Sequence, residues 1–193
     1  MRTWLLPLLA SALFACAQPT PPPAAPTPPA EPPPKCDDLA QGCTVKPGTR
    51  AKVGTAWTVE LPGGWTYAQE ESFAVAVAEN AGLALTTSEV KDAKKEARAR
   101  DDAFKQLTSK LAVTTRKNVS WPKKPQKTAT VGTLKVAMFQ LDAAERGGKK
   151  GPLLLFMTKK EGMLLVGAGF VPDDDATNAD AAILKSIDSL GAP

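Results

Sequence analysis

Leu153-Leu-Leu-Phe-Met-Thr158 and Met163-Leu-Leu-Val-Gly-Ala-Gly-Phe-Val171, joined across Lys160-Glu161-Gly162, decide the fold. Each is a continuous apolar run of strand length, and the residues between them carry a hairpin-turn signal. A strand that is apolar at every position is covered on both faces, so this hairpin reads as the centre of a sheet with packing layers above and below. Gly167 and Gly169 share one face of the second run. Close helix packing explains them more cheaply than a ligand groove does.

Working towards the N-terminus, Thr128–Val131 and Leu134–Asp142 read as strands around Gly132, which is either a tight turn or a bulge. Glu145–Gly151 reads as a hairpin loop, and Val113–Trp121 as an extended stretch ended by Trp121-Pro122. Phe73-Ala-Val-Ala-Val-Ala-Glu79 alternates large and small residues. Its alanines form a face on which a helix could lie close. Asn80-Ala81-Gly82 is a turn, and Leu83–Thr87 is the return strand. Trp57, Val59 and Leu61 alternate as a half-buried strand. Pro62 and Gly63 then fit the central positions of a type II turn. Trp57 and Trp65 read as core residues rather than as a sugar platform.

Residues 89–112 give the strongest helical pattern. Val90, Ala93, Ala97, Phe104, Leu107 and Leu111 lie on one face, with Ser88 as the expected N-cap. Lys91, Lys94, Lys95 and Arg98 make its first half basic: a solvated face, or a dock for an acidic partner or anionic headgroups. A second helix carries Ala179, Ile183, Ile187 and Leu190 on its buried side. Asp173–Asp180 before and within it lacks the Gly and distal Glu of an EF-hand loop, so it reads as N-terminal capping rather than as a calcium site. The expected class is therefore α+β: an antiparallel β-sheet flanked by helices, an αβα sandwich. A two-layer sandwich with both helices on one face is the alternative.

Three stretches carry a family resemblance: Val59-Glu-Leu-Pro-Gly-Gly-Trp65, Val131-Gly132 before a strand, and Ile183–Leu190 as a closing helix. With the order of elements over residues 55–190, the layout resembles the PsbP-like fold of the photosystem II extrinsic protein and a Ran-binding nuclear import factor. The resemblance implies an αβα sandwich and proteins that mostly bind partners rather than catalyse. No functional residue of that family maps onto this chain.

The N-terminus carries an address. Met1-Arg2 precedes an apolar run from Trp4 to Ala15, shorter than the ~20 residues a membrane span needs. Leu13-Phe14-Ala15-Cys16 resembles the lipobox of bacterial lipoproteins, which implies a signal peptide over residues 1–15 and a diacylglyceryl group on the Cys16 sulfur. It also implies a fatty acyl chain such as palmitate on the Cys16 amine. Several chains together anchor firmly where one is marginal. Ala17 after the cysteine resembles the pattern sorted to the outer membrane. A secretory signal cut at Ala10-Ser11-Ala12 or Ala15-Cys16-Ala17 is the alternative reading. Residues 16–35 then form a lipidated, proline-rich tether, expected in polyproline II at about 3.1 Å per residue. A PxxP ligand is its other reading. Residues 36–193 form a single globular domain that opens with Cys36-Asp-Asp-Leu-Ala-Gln-Gly-Cys43, expected to be disulfide-closed in an oxidising compartment.

Composition narrows the chemistry. The 193 residues hold 24 basic and 20 acidic side chains, a mild excess that does not point to nucleic acid. There is no histidine, which removes Ser-His-Asp and Cys-His catalysis and His-ligated metals. The three cysteines are assigned to lipid and disulfide. No catalytic residue, metal ligand set or cofactor motif is expected. The first function is a non-catalytic protein-binding or assembly module on an envelope membrane, in the periplasm or at the cell surface. A small-ligand or lipid carrier with a pocket near Trp57, Trp65 or Trp121 is the second. A carboxylate- or lysine-based enzyme is the third, and it requires two acids converging in a cleft.

Overall fold

A computed structural model of the chain describes residues 35–116 and 119–191. The signal peptide, Cys16 and the tether up to residue 34 lie outside the described residues. In chain order the strands are β1 (Arg50–Val53), β2 (Trp57–Glu60), β3 (Thr66–Glu70), β4 (Phe73–Val77) and β5 (Gly82–Glu89). Helix α1 (Ala93–Lys110) follows. Then come β6 (Val113–Thr114), β7 (Lys127–Val131), β8 (Leu134–Arg146), β9 (Lys149–Lys160) and β10 (Met163–Phe170), and finally helix α2 (Ala176–Asp188).

The two apolar runs are central, as their composition predicts. Among the described residues an eight-stranded sheet runs β3-β4-β5-β10-β9-β8, and β6 and β7 both pair with β8. Every pairing is antiparallel. Leu164, Val166, Ala168 and Phe170 of β10 face α1 and pack in one cluster with Phe104, Leu107, Leu111 and Trp121. Leu165 points the other way, into a cluster with Ile183, Ile187 and Leu190 of the α2 segment and with Trp57 and Val59. The helices therefore cover opposite faces, and the fold is α+β with three layers. The layer beneath the sheet is shared between α2 and a separate β1–β2 ribbon.

Gly169 answers to α2: a Cβ there would lie 2.8 Å from Ile183 Cγ2. Gly167 answers to something else. The Phe156 ring lies over it, 2.0 Å from where a Cβ would stand.

Several local expectations are corrected. Helix α1 starts at Ala93, because β5 continues through Ser88 and Glu89, which pair with Leu164 and Met163. Ser88 is thus a strand residue. The N-cap is Asp92, extended at φ −151°, whose Oδ1 accepts the Lys95 amide at 2.8 Å. Ala93 and Ala97 are exposed, and the buried face of α1 begins only near Ala99 and consists of Ala103, Phe104 and Leu107. The alanine face of β4 is covered by the β1–β2 ribbon rather than by a helix, with Ala74 and Ala76 clustered with Ala51 and Val53. Trp57 is fully buried, whereas Trp65 is half-buried at the margin of the same cluster.

The Pro62 turn sits one residue later than its sequence suggests. The Trp65 amide donates to the Pro62 carbonyl at 3.4 Å, and Gly64 carries the positive φ of 81°. The expected loop over 145–151 shrinks to Gly147-Gly148, at φ 56° and 80°. Two successive positive φ values let β8 run directly into β9. Gly132 likewise belongs to a tight two-residue turn between Val131 and Leu134. The aspartate run forms a 3-10 turn, Asp173–Asp175, and Asp175 makes no side-chain cap bond. Asp174 pairs with Lys149 instead.

Candidate functional site

The basic face expected on α1 is divided among neighbours. Lys91 lies before the helix and pairs with Glu89 at 3.5 Å. Lys95 pairs with Asp92 and Arg98 with Asp102, each at 3.8 Å. Lys94 is exposed. Between residues 89 and 102 five acids match five bases. These exposed pairs are individually weak, yet they leave the face with no net positive field.

A different stretch carries the charge. From Ala103 to Leu141 there is no acidic residue, and there are eight basic ones. Counting both signs in a window would have found it; counting lysines on a helix did not. Lys105, Lys110 and Arg116 are exposed on and just after α1, and four more exposed cations stand where the chain enters β7 and at the β7–β8 turn: Lys123, Lys124, Lys127 and Lys135, none of which makes an ion pair among the described residues.

The two margins of the sheet differ. The margin at β3 is closed by the segment that opens the domain. Cys36 and Cys43 are disulfide-bonded with Cα atoms 5.8 Å apart. Asp38 caps the short 3-10 turn between them, its carboxylate accepting the Ala40 amide at 2.9 Å. The Cys36 carbonyl accepts the Gln69 amide at 2.7 Å, and the Cys43 carbonyl accepts the Tyr67 amide at 2.8 Å. The disulfide loop thus lies along β3 and satisfies its outward donors.

Among the described residues the margin at β7 has no such cover. The two-residue turn makes Val131–Leu134 a hydrogen-bonded pair and alternation makes Ala129–Val136 the next, so Thr128 and Thr130, opposite Ala137 and Lys135, turn their backbone groups away from β8. No described residue bonds to those groups, and both threonines are exposed.

Two open clefts among the described residues have no tryptophan in their lining. One of about 410 Å³ lies at the β8 bulge, lined by Gln140, Asp142, Ala143, Lys150, Pro152 and Asp173. Ala143 there holds a φ of 65°, which the irregularity between Leu141 and Ala144 imposes. Asp142 and Asp173 share this lining, and both are exposed. A second cleft, of about 230 Å³, lies between the disulfide loop and the end of α1, lined by Asp38, Leu39, Phe73 and Lys110 among others. Trp121 is buried, edge-on to Phe139 at 5.2 Å and to Phe104 at 6.3 Å, with the Arg100 guanidinium 5.9 Å from its ring. Among the described residues no group of three or more His, Cys, Asp or Glu side chains is placed to hold a metal ion. No helix among them is long and apolar enough to cross a membrane.

No protein-family model matches the chain, and no curated protein matches it. The resemblance to PsbP-like proteins therefore stays a likeness of layout. Among solved structures, the chain is similar to a protein of Bacteroides thetaiotaomicron at 12% identity and a TM-score of 0.41, covering 74% of this chain and 49% of that one. This chain thus spans about half the length of that protein. It is also similar to LpqN of Mycobacterium tuberculosis, described as involved in cell envelope biogenesis. There the identity is 13%, the TM-score 0.31, and the coverage 76% of this chain and 86% of that one. Both are partial superpositions and carry no functional argument.

Proposed function

We propose that this is a bacterial envelope lipoprotein, anchored through Cys16 to the outer membrane, whose folded domain works as a non-catalytic binding or assembly module. The observation that carries the reading is the order of three features. Leu13-Phe-Ala-Cys16 comes first, the proline run follows, and the run leads directly into a disulfide-closed segment sealing one margin of the sheet. A disulfide at the start of the fold suits an exported chain, and a stiff spacer suits a domain held off a membrane. The absence of histidine from the sequence and the exposed setting of Asp142 and Asp173 support binding over catalysis.

The test is metabolic labelling with an alkyne fatty acid in a bacterial host, with membrane fractionation of the wild-type chain and Cys16→Ser. The reading expects label and outer-membrane recovery for the wild type, and loss of both in the variant. A mature N-terminus at Leu13 or Gln18 without lipid, found by mass spectrometry, overturns it.

A further inference from the structure

The two sheet margins are treated in opposite ways. At β3 the outward donors of Tyr67 and Gln69 are taken up by a covalently closed loop. At β7, five residues long, the backbone groups of Thr128 and Thr130 are open. An open strand is a template for another strand, so what surrounds it determines which strand is admitted.

Charge makes that selection. Side chains alternate between sheet faces along a strand. Lys127 lies on the same face as Val131, which packs in the α2 cluster, and Lys135 lies on the opposite face. Lys123 and Lys124 stand just before the strand. A second copy pairing through β7 would bring like charges together, which is unfavourable. A flat anionic bilayer would meet one face and leave the other lysine unused. An extended acidic peptide fits both, because its side chains alternate and meet a lysine on each face while its backbone bonds to Thr128 and Thr130.

We infer that the outer edge of β7 is a β-addition site for an extended acidic segment of a partner protein. This deepens the binding-module reading and rests on it for biological context, but its test does not need the anchor.

The experiment uses the full chain carrying Cys16→Ser and a fluorescent seven-residue peptide, Val-Glu-Glu-Val-Glu-Glu-Val, whose adjacent glutamates stand on opposite faces of a strand, read by anisotropy. Three comparisons accompany it: the same peptide with alternate amides N-methylated, Lys127→Glu/Lys135→Glu, and Thr130→Pro. The proline removes one outward donor without touching the bonds to β8. Circular dichroism and thermal melts confirm that each variant folds. The expected result is saturable binding that weakens at least about tenfold with N-methylation, with the charge reversal and with Thr130→Pro. Binding should also fall as salt rises, and amide exchange at Thr128 and Thr130 should slow when peptide is bound.

Equal binding of the N-methylated peptide would reduce the site to charge attraction and overturn strand addition. Absence of peptide binding overturns it outright. So does Lys127- and Lys135-dependent binding to phosphatidylglycerol vesicles without peptide binding, which would assign the patch to a membrane. A dimer abolished by Thr130→Pro would assign the edge to a second copy. Because Cys16 is replaced throughout, failure here leaves the lipoprotein reading standing, and failure of lipid labelling leaves the edge standing.

Discussion

The Gln69 amide donates to the Cys36 carbonyl at 2.7 Å, which places the first disulfide cysteine directly against the marginal strand of the sheet. Through this bond and its partner at Cys43, the disulfide constrains an edge as well as a loop. Cys36→Ser/Cys43→Ser is expected to cost about 2–3 kcal/mol, the chain-entropy value for so short a loop. Urea unfolding measures the total. Amide exchange locates it: Tyr67 and Gln69 should lose protection before β5 or β10 does. Unchanged protection at those two amides would show that the hydrogen bonds alone hold the loop in place.

Gly167 and Phe156 form a tight steric pair at the sheet centre, with the ring occupying the space a Cβ would need. Phe156 is fully buried, so its ring has no free volume into which to retreat. Gly167→Ala should therefore destabilise by about 1–3 kcal/mol, the overpacking range. Phe156→Leu opens the site, and the same alanine should then cost much less. A double-mutant cycle by chemical denaturation reads the coupling. Additive effects would mean that the strain is relieved elsewhere, by backbone shift.

The central hairpin was legible because Leu153–Met157 and Met163–Val171 are apolar throughout, the composition of a doubly covered strand. The same logic placed Gly169 against a helix. It placed Gly167 against a helix too, wrongly, since a ring delivered from the neighbouring strand leaves no periodic trace. Strands β1 and β3 went unread: each is short, and in β3 only Ala68 is fully buried. The start of α1 was misplaced because Ser88 is a good cap in isolation, yet pairing with β10 holds it in a strand. On the surface, the cations of α1 drew the reading although acids stand beside them at i,i+4 spacing, as Arg98 and Asp102 do. The acid-free run from Ala103 to Leu141 was open to reading all along, but whether its charges meet an open edge depends on sheet order, which local pattern does not give.

The two helix starts predict unequal responses to the same substitution. Asp92 accepts the Lys95 amide, so Asp92→Ala should cost about 1 kcal/mol. Asp175 makes no cap bond to the backbone, and its carboxylate instead accepts from the Asn178 side chain at 3.3 Å. Asp175→Ala should stay within about 0.5 kcal/mol, as surface changes away from such features do. Paired urea titrations of the two variants decide this, and equal losses would contradict the difference in geometry.

Asp174 and Lys149 join the turn before α2 to the start of β9, and each moves the other's titration. The hydrogen bond from Lys149, aided by its charge, lowers the Asp174 carboxyl below its ordinary range. The hydrogen bond to Asp174, then its charge, raises the Lys149 ammonium. A depressed carboxyl contributes stability that is present above its unfolded pKa and is lost as pH falls through the folded one. A raised ammonium contributes stability that is present below its unfolded pKa and is lost as pH rises through the folded one. The pair should therefore be indifferent to pH across neutrality and weaken at both extremes. Because both groups are exposed, salt should shrink both shifts. Carboxyl-detected NMR titration of Asp174 should find a midpoint below the ordinary aspartate range, and Lys149→Met should return it to the ordinary value. Asp174→Asn should in turn lower the Lys149 midpoint. A normal Asp174 midpoint in the intact chain at low salt would show that the pair does not form in solution.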